Sequence, residues 1–260
     1  MKKLFFFAAL FAAVLVSAGT RSAVIATYNI HNGRNIKRKL DLSGTVAALR
    51  MLNAETIILN EVDFNTKRSG KVDQAAFLAK ELKMNHIFGR SIDFQGGHYG
   101  NAVLSVYKVE KIDLLKIPSR GEARSALVVK IHAPTPYYVI ATHFVNGEVD
   151  PEIEALRVKC IDLIADYIDA KKYSPVIFGG DLNTRHHGAV VSRMQQRKFK
   201  ISNDLSGKML SYPSWKPNRL LDYLTIYPAD SADGKTARIF NTLASDHLPV
   251  AAEIIFSDPR

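Results

Sequence analysis

The sequence predicts a layered α/β sandwich, two mostly antiparallel sheets packed back to back with helices outside. Three observations lead there. Short runs of β-branched and aromatic residues recur along the whole chain, helical periodicity is clear in only three places, and the two patterns do not alternate regularly. A doubly wound parallel sheet needs that alternation, so two sheets with helices laid over them accommodate the pattern better.

The strand candidates, in chain order, are residues 23–29, 56–60, 102–107, 125–131, 137–142, 176–178, 223–226 and 249–255. They are rich in Val, Ile, Tyr and Thr, which suit a pleated, buried surface. The strongest helix starts at Asp150-Pro151, a capping acid followed by Pro at the first helical position. Behind it Ile153, Leu156, Cys160, Leu163, Ile164, Tyr167 and Ile168 fall on one face. Shorter helices are predicted over residues 43–52, with Val46, Leu49 and Leu52 in register, and over 73–82, with Ala75, Leu78 and Leu82.

Lys2 and Lys3 precede an unbroken apolar run from Leu4 to Val16, which ends at the small-residue sequence Val16-Ser17-Ala18. Residues 1–18 therefore read as a cleaved secretion signal, with cleavage after Ala23 also meeting the rule. The run is roughly 13 residues, short of the ~20 a bilayer span needs, so no stable span is expected after cleavage. A secreted or periplasmic location follows as the expectation. Residues 19–260 show no Pro/Gly/Ser linker, repeat or low-complexity tract, and the chain is 47% hydrophobic, so a single domain and a monomer are expected. The single cysteine, Cys160, excludes an internal disulfide and sits on an apolar helix face, which points to packing.

The formal net charge is +10, and +8 once the two lysines of the signal are gone. Such a surface suits a polyanion, although scattered charge also serves solubility alone. Cations cluster at Arg34 with Lys37-Arg38-Lys39, at Lys67-Arg68 with Lys71, and at Arg193 with Arg197-Lys198 and Lys200. None of the clusters carries the interleaved aromatics of a single-strand stacking platform.

Polar residues stand just past the ends of the apolar runs, where they can converge on one rim of a sheet. Asn29 follows 24–28, Glu61 follows 56–60, His143 follows 137–142, and Asp181 with Asn183 follows 175–180. Asp222 and Ser245-Asp246-His247 come after them. A hard cation such as Mg²⁺ prefers oxygen ligands and is commonly held by one or two carboxylates plus substrate phosphate, which Glu61 can supply. Zinc is disfavoured, because no His or Cys pair stands at zinc-ligand spacing with a third ligand. His247 can make a water nucleophilic, since imidazole titrates near neutral pH and a carboxylate can fix its tautomer.

In order, Thr27-Tyr28-Asn29-Ile30-His31-Asn32-Gly33, Asn60-Glu61-Val62-Asp63, Gly100-Asn101-Ala102-Val103-Leu104-Ser105, Thr142-His143-Phe144, Gly179-Gly180-Asp181-Leu182-Asn183-Thr184, Leu221-Asp222-Tyr223 and Ser245-Asp246-His247-Leu248-Pro249-Val250 resemble the endonuclease/exonuclease/phosphatase superfamily. That superfamily includes DNase I-like nucleases, bacterial sphingomyelinases and inositol polyphosphate phosphatases. The resemblance spans nearly all of residues 19–260 and implies a four-layer, DNase I-like sandwich and a metal-dependent phosphoesterase.

By resemblance, Glu61 holds the cation, Asn29 supports it, and Asp246 adds a carboxylate on the other side. Mg²⁺ is the expected ion, with Mn²⁺ or Ca²⁺ as alternatives. His247 is then the general base, Asp222 its partner, Asp181 orients the water, and Asn183 donates to the phosphate. His143 matches the histidine of the DNase and sphingomyelinase branches that touches the scissile phosphate or assists the leaving group. The abasic-site endonuclease branch carries Tyr there, which argues against DNA repair. Asn60 replaces the family's common Gln and is one methylene shorter.

Asn101 either supports the site through hydrogen bonds or serves a turn near Gly97 and Gly100. Arg124 either meets a substrate phosphate or pairs with an acid. His31 and His98 are read as rim histidines, and His186-His187 as a loop pair. Phe94, Tyr99, Tyr212 and Trp215 belong to loops that could dock on a membrane or line the pocket. Nucleic acid is the leading substrate because of the charge; a phospholipid or inositol phosphate is the alternative. A non-catalytic scaffold is disfavoured, since every indispensable position is filled.

Overall fold

The apolar runs become strands, and the strands sort into two sheets in the computed structural model, which describes residues 20–147 and 150–257. The predicted signal, residues 1–18, lies outside the described residues. Elements are numbered in chain order. The first sheet holds β1 (Thr20–Asn29), β2 (Thr56–Phe64), β3 (Asn85–Phe94), β4 (Gly97–Ser105), β11 (Ala232–Gly234) and β13 (Val250–Ser257), ordered β11-β13-β1-β2-β4-β3, with β12 (Arg238–Ile239) also on β13. The second holds β5 (Val109–Ile117), β6 (Arg124–Ile131), β7 (Tyr137–His143), β8 (Val176–Asp181), β9 (Lys200–Ile201) and β10 (Asp222–Tyr227), ordered β5-β6-β7-β8-β10-β9. Only β1–β2 and β7–β8 pair in parallel.

The two-residue period of each strand divides its apolar side chains between two cores. Ile25, Ile58 and Val103 join Val128, Val139 and Phe178 of the second sheet. Their neighbours Ala26, Leu59 and Leu104 face the other way, against Val46 and Leu49 of α1 (Leu42–Met51) and Leu78 of α2 (Gln74–Leu82). On the far side α3 (Pro151–Lys171) and α4 (Ala189–Gln196) pack together, and Cys160, Ile164, Ile168 and Met194 complete the second core. Helices, sheet, sheet, helices: the predicted sandwich has its four layers.

The caps explain where the helices begin. The Asp150 carboxylate accepts from the N–H groups of Glu152 and Ile153, and Asp73 and Asp41 cap α2 and α1 in the same way. On α3 the buried stripe also includes Arg157, which donates to the Val145 and Gly147 carbonyls and pairs with Glu154. It thereby anchors the segment that leaves β7 just after His143.

Several expectations are corrected. Strands β3 and β5 and helix α4 carry no clear period in the sequence, and all three are present. Phe94 and Tyr99 are not loop residues: they end β3 and open β4, joined through Gln95-Gly96 with φ of 48° and 81°, the positive pair of a tight hairpin turn. The strand predicted to reach residue 107 stops at Ser105.

Candidate active site

Register explains how residues scattered over 220 positions meet. In the second sheet His143 pairs with Asp181, and Asp181 with Asp222, so three strand ends place three polar side chains side by side. In the first sheet Asn29 pairs with Asn60 at the same end. A bulge between Leu59 and Val62 then breaks the β2 register, and Glu61 takes φ +57°. Left-handed backbone in a non-glycine residue costs on the order of 1–3 kcal/mol and clusters at functional sites. Here it turns the Glu61 carboxylate into the site.

Buried amides tie the two sheets together. Asn29 Nδ2 donates to Glu61 Oε1 at 3.1 Å and to Asp181 Oδ2 at 3.0 Å. Asn60 accepts from the Asp181 N–H at 2.8 Å and donates to Asn101 Oδ1 and the Thr142 carbonyl, each at 2.8 Å. The shorter amide of Asn60 thus makes a full set of bonds and links β2, β4, β7 and β8. Asn101 is buried inside β4 and donates onward to the Ser125 carbonyl, so it supports the site and serves no turn. Gly180 permits this approach: a Cβ there would lie 1.8 Å from the Thr142 carbonyl oxygen.

His247 is the centre of the buried half. Its Nδ1 lies 2.8 Å from Asp222 Oδ2 and its Nε2 3.6 Å from Asp181 Oδ2. Ser211 donates to the same Asp222 oxygen at 2.6 Å and accepts from the Leu221 and Asp222 N–H groups. Burial opposes charge on His247, but Asp222 and Asp181 outweigh it and push the imidazole up to about 10. Burial likewise pushes the Asp181 carboxyl up to about 7, against the pull of His247. His143 is the opposite case: burial, then Arg124 and His247, hold it well below the usual histidine range, so it is neutral.

Asn183, at φ +50°, donates its amide to His143 Nε2 at 3.1 Å and to the Phe144 carbonyl at 3.0 Å. Its N–H groups are thus occupied, and a bond to phosphate requires one of them to be released. Arg124 pairs with Glu122 at 3.1 Å, one of its two readings, and also lines the cavity. Tyr212 packs against the His247 ring, tilted by 52° with centroids 4.7 Å apart, and Arg219 lies over Tyr212, so both wall the cavity, while Trp215 is 56% exposed. His31 Nδ1 is 3.6 Å from Asp246 Oδ1 and is a buried nitrogen with no hydrogen-bond partner.

The cavity measures about 160 Å³ and collects Glu61, His143, Asp181, Asn183, Asp246 and His247 on one floor. Asn29 lies beneath Glu61 and Asp222 beneath His247. Every predicted site residue except Asn101 is therefore in the cavity or hydrogen-bonded to its lining; Asn101 reaches it through Asn60, which accepts from the Asp181 N–H. Among the described residues one group of donors is spaced to hold a metal. Asp181, Asp222 and His247 lie within 4.8 Å of one another, but their facing atoms already bind each other and Ser211. Glu61 and Asp246 offer oxygens that are less engaged.

A family description, the Endonuclease/Exonuclease/phosphatase family, matches residues 26–249. The chain belongs to that family. It is 27% identical over 244 residues to the uncharacterized protein YbhP of Escherichia coli strain K12, covering 88% of this chain and 95% of that one. Among solved structures, an endonuclease/exonuclease/phosphatase from Beutenbergia cavernae aligns over 91% of this chain and 72% of its own, with TM-score 0.70 and 19% identity. Sphingomyelinase C from Streptomyces griseocarneus aligns over 90% and 99%, with TM-score 0.67 and 17% identity. At those identities the likeness shows the fold. Membership makes the chain a phosphoesterase of this family, and among the described residues no helix is long and apolar enough to cross a membrane.

Ser211, Asn60 as a hub, Arg157 and Arg219 escape a sequence reading, whereas Tyr212 lines the pocket, one of its two readings. Ser211 and Arg157 lie in no motif and act through geometry alone. Asn60 carried a signal, its place beside Glu61.

Proposed function

We propose that this chain is an exported, divalent-metal-dependent hydrolase of phosphodiesters, acting as a monomer after removal of residues 1–18. The observation that carries the reading is the buried His247–Asp222 pair, at 2.8 Å, opening onto the same cavity as Glu61. Cleavage after Ala18 is favoured over Ala23, because Arg21 pairs with Glu55 and Ala23 is buried in β1.

The donor set near Glu61 fits a hard cation. Glu61 and Asp246 supply carboxylate oxygens, the Asn29 amide orients Glu61, and no sulfur ligand is near; Mg²⁺, Mn²⁺ or Ca²⁺ suits such a set. When bound, the cation supplies charge neutralisation for the phosphoryl oxygens and opposes the carboxylate field that keeps His247 protonated. The protein's own groups do the rest. Neutral His247 takes a proton from water, whose oxygen bonds to phosphorus as the bond to the leaving oxygen breaks, and Asp222 stabilises the imidazolium formed. Asp181 holds the water between itself and His247 Nε2. His143 and Asn183 contact the phosphoryl oxygens, and Arg124 contributes charge from the wall.

Two substrates present such diesters to an exported enzyme. Nucleic acid is supported by the net charge of the chain. Part of that charge is spent internally, since Arg193 and Arg197 pair with Asp162, Asp166 and Asp169, and Lys200 with Asp233. A phospholipid is supported by exposed apolar side chains, among them Leu40 directly after the exposed Lys37-Arg38-Lys39 run. The test is hydrolysis of plasmid DNA, RNA, sphingomyelin, phosphatidylinositol and inositol phosphates, with Mg²⁺ or Mn²⁺ and with EDTA, each paired with His247→Ala. Turnover of one class, lost with EDTA and with the variant, supports the reading; metal-dependent turnover undiminished in His247→Ala removes His247 as the base.

A further inference from the structure

Five large apolar side chains are conspicuously exposed among the described residues; two of them, Met51 and Leu243, line one groove, and a third, Leu40, ends the turn that packs beside it. Leu40 is 42% exposed, Met51 50% and Leu243 53%. The segment 34–40 packs on the segment 241–244 through the Ile36 N–H and the Leu243 carbonyl, and Met51 of α1 lines the same groove with Ile36 and Leu243. Scattered exposed apolar residues are ordinary, but a cluster marks an interaction surface.

Beside this patch stand Lys37, Arg38 and Lys39, all exposed, none with a carboxylate within ion-pair distance among the described residues. The acid nearest in the groove, Asp41, is engaged in capping α1 through the Gly44 N–H. The basic cluster at Arg193 and Arg197 contrasts with it, being neutralised by acids of α3. Arg34 holds the basic turn in place: it donates to the Arg38 carbonyl, the Arg68 carbonyl and Asn32. The face is therefore a preset frame carrying free cations next to free apolar side chains.

Two short stretches of chain join it to the cavity. The chain enters this turn directly after His31, whose ring faces Asp246, and Leu243 lies three residues before Asp246. A nucleic-acid strand would use the cations and leave three large apolar side chains in water. An anionic bilayer uses both, with lysine and arginine at the headgroups and Leu40, Met51 and Leu243 at the acyl boundary.

We infer that the face formed by residues 36–40, Met51 and Leu243 docks the protein on an anionic phospholipid bilayer and presents the active-site mouth to it. The inference rests on the phospholipid branch of the proposed function.

The experiment is co-sedimentation in EDTA, without turnover, using phosphatidylcholine vesicles with and without phosphatidylglycerol. The native protein should bind the phosphatidylglycerol vesicles more tightly, and added salt should weaken it. Lys37→Glu with Lys39→Glu should lower the partition coefficient by roughly tenfold or more. Leu243→Ser with Met51→Ser should also lower it severalfold, with little change in its salt dependence. All four positions are exposed, so Tm and hydrolysis of soluble bis(p-nitrophenyl) phosphate should stay as in the native protein. No preference for phosphatidylglycerol, or unchanged binding in both double variants, overturns the proposal. So does the case in which the charge variant loses affinity for labelled single-stranded DNA while vesicles never bind. Failure of the catalytic reading looks different: vesicle binding persists and the soluble diester is not cleaved.

Discussion

The two halves of the site differ in how far their charges are already answered. His247, Asp222 and Asp181 have side chains only 6%, 0% and 2% exposed, with His247 hydrogen-bonded to Asp222 at 2.8 Å and facing Asp181 at 3.6 Å, whereas Asp246 and His31 are each 24% exposed and separated by 3.6 Å. In a dry setting a hydrogen bond is stronger and its geometry is held by every neighbour, so the first half is ready before any ligand arrives. The open half keeps lone pairs to spare and can accept a cation without first breaking bonds. Under the proposed function the contrast is a division of labour: proton transfer is built into the fold, and charge neutralisation is recruited.

The largest effect should fall on the buried half. His247→Ala should lower hydrolysis at least ~10²-fold, the scale of general acid–base catalysis, with metal affinity little changed. Next is the open half. Glu61→Gln should raise the divalent-ion concentration needed for half-maximal activity by roughly tenfold or more, and Asn29→Ala should do so by a similar or smaller factor, as loss of a supporting bond does. Calorimetric titration of the EDTA-dialysed protein reads both. If Glu61→Gln binds the cation as the native protein does while Asp222→Asn does not, the ion belongs to the Asp181–Asp222–His247 cluster, and the division between the halves is the wrong way round.

The same contrast marks what could be read in the sequence. Strand-end residues such as Asn29, His143 and Asp181 were legible because each closes an apolar run, and the run itself reports a buried strand. Their register was not, since nothing in one strand says which residue of another lies opposite. Strands β3 and β5 escaped because both are edge strands: β5 carries Glu110, Lys111, Asp113 and Lys116, and most of its residues are only partly buried. Helix α4 has only eight residues, too short for its stripe of Val190, Val191 and Met194 to stand out as a period. Ser211 is a lone hydroxyl that matters only because a turn brings it to Asp222.

A moderate effect should come from the hub between the halves. Asn60→Ala leaves the Asp181 N–H, Asn101 Oδ1 and the Thr142 carbonyl without partners in a dry interior. Urea denaturation should report a loss of about 3 kcal/mol, the order expected for orphaned buried polar groups. Activity should fall further than the population of folded protein does, because Asp181 loses its anchor. A stability loss with unchanged turnover of the folded fraction would mean that the two halves are positioned independently.

The last effect falls on stability alone, through the pH dependence of the metal-free protein. His247 titrates near 6.5 in an unfolded chain and is pushed up to about 10 in the fold, so the folded state holds its proton more tightly. The resulting stabilisation is fully present below about pH 6.5 and is lost as pH rises through about 10. Asp181, raised to about 7, acts in the same sense but has finished titrating by then, and His143, neutral in the fold, contributes nothing above about pH 6.5. Between pH 7.5 and 10, in EDTA, Tm should therefore fall, with His247 supplying the site's share of the slope. Asp222→Asn removes the nearest carboxylate, at 2.8 Å, and should flatten that slope. If the variant follows the native curve, the imidazolium is not held by Asp222, and the buried half loses the feature that distinguishes it from the open one.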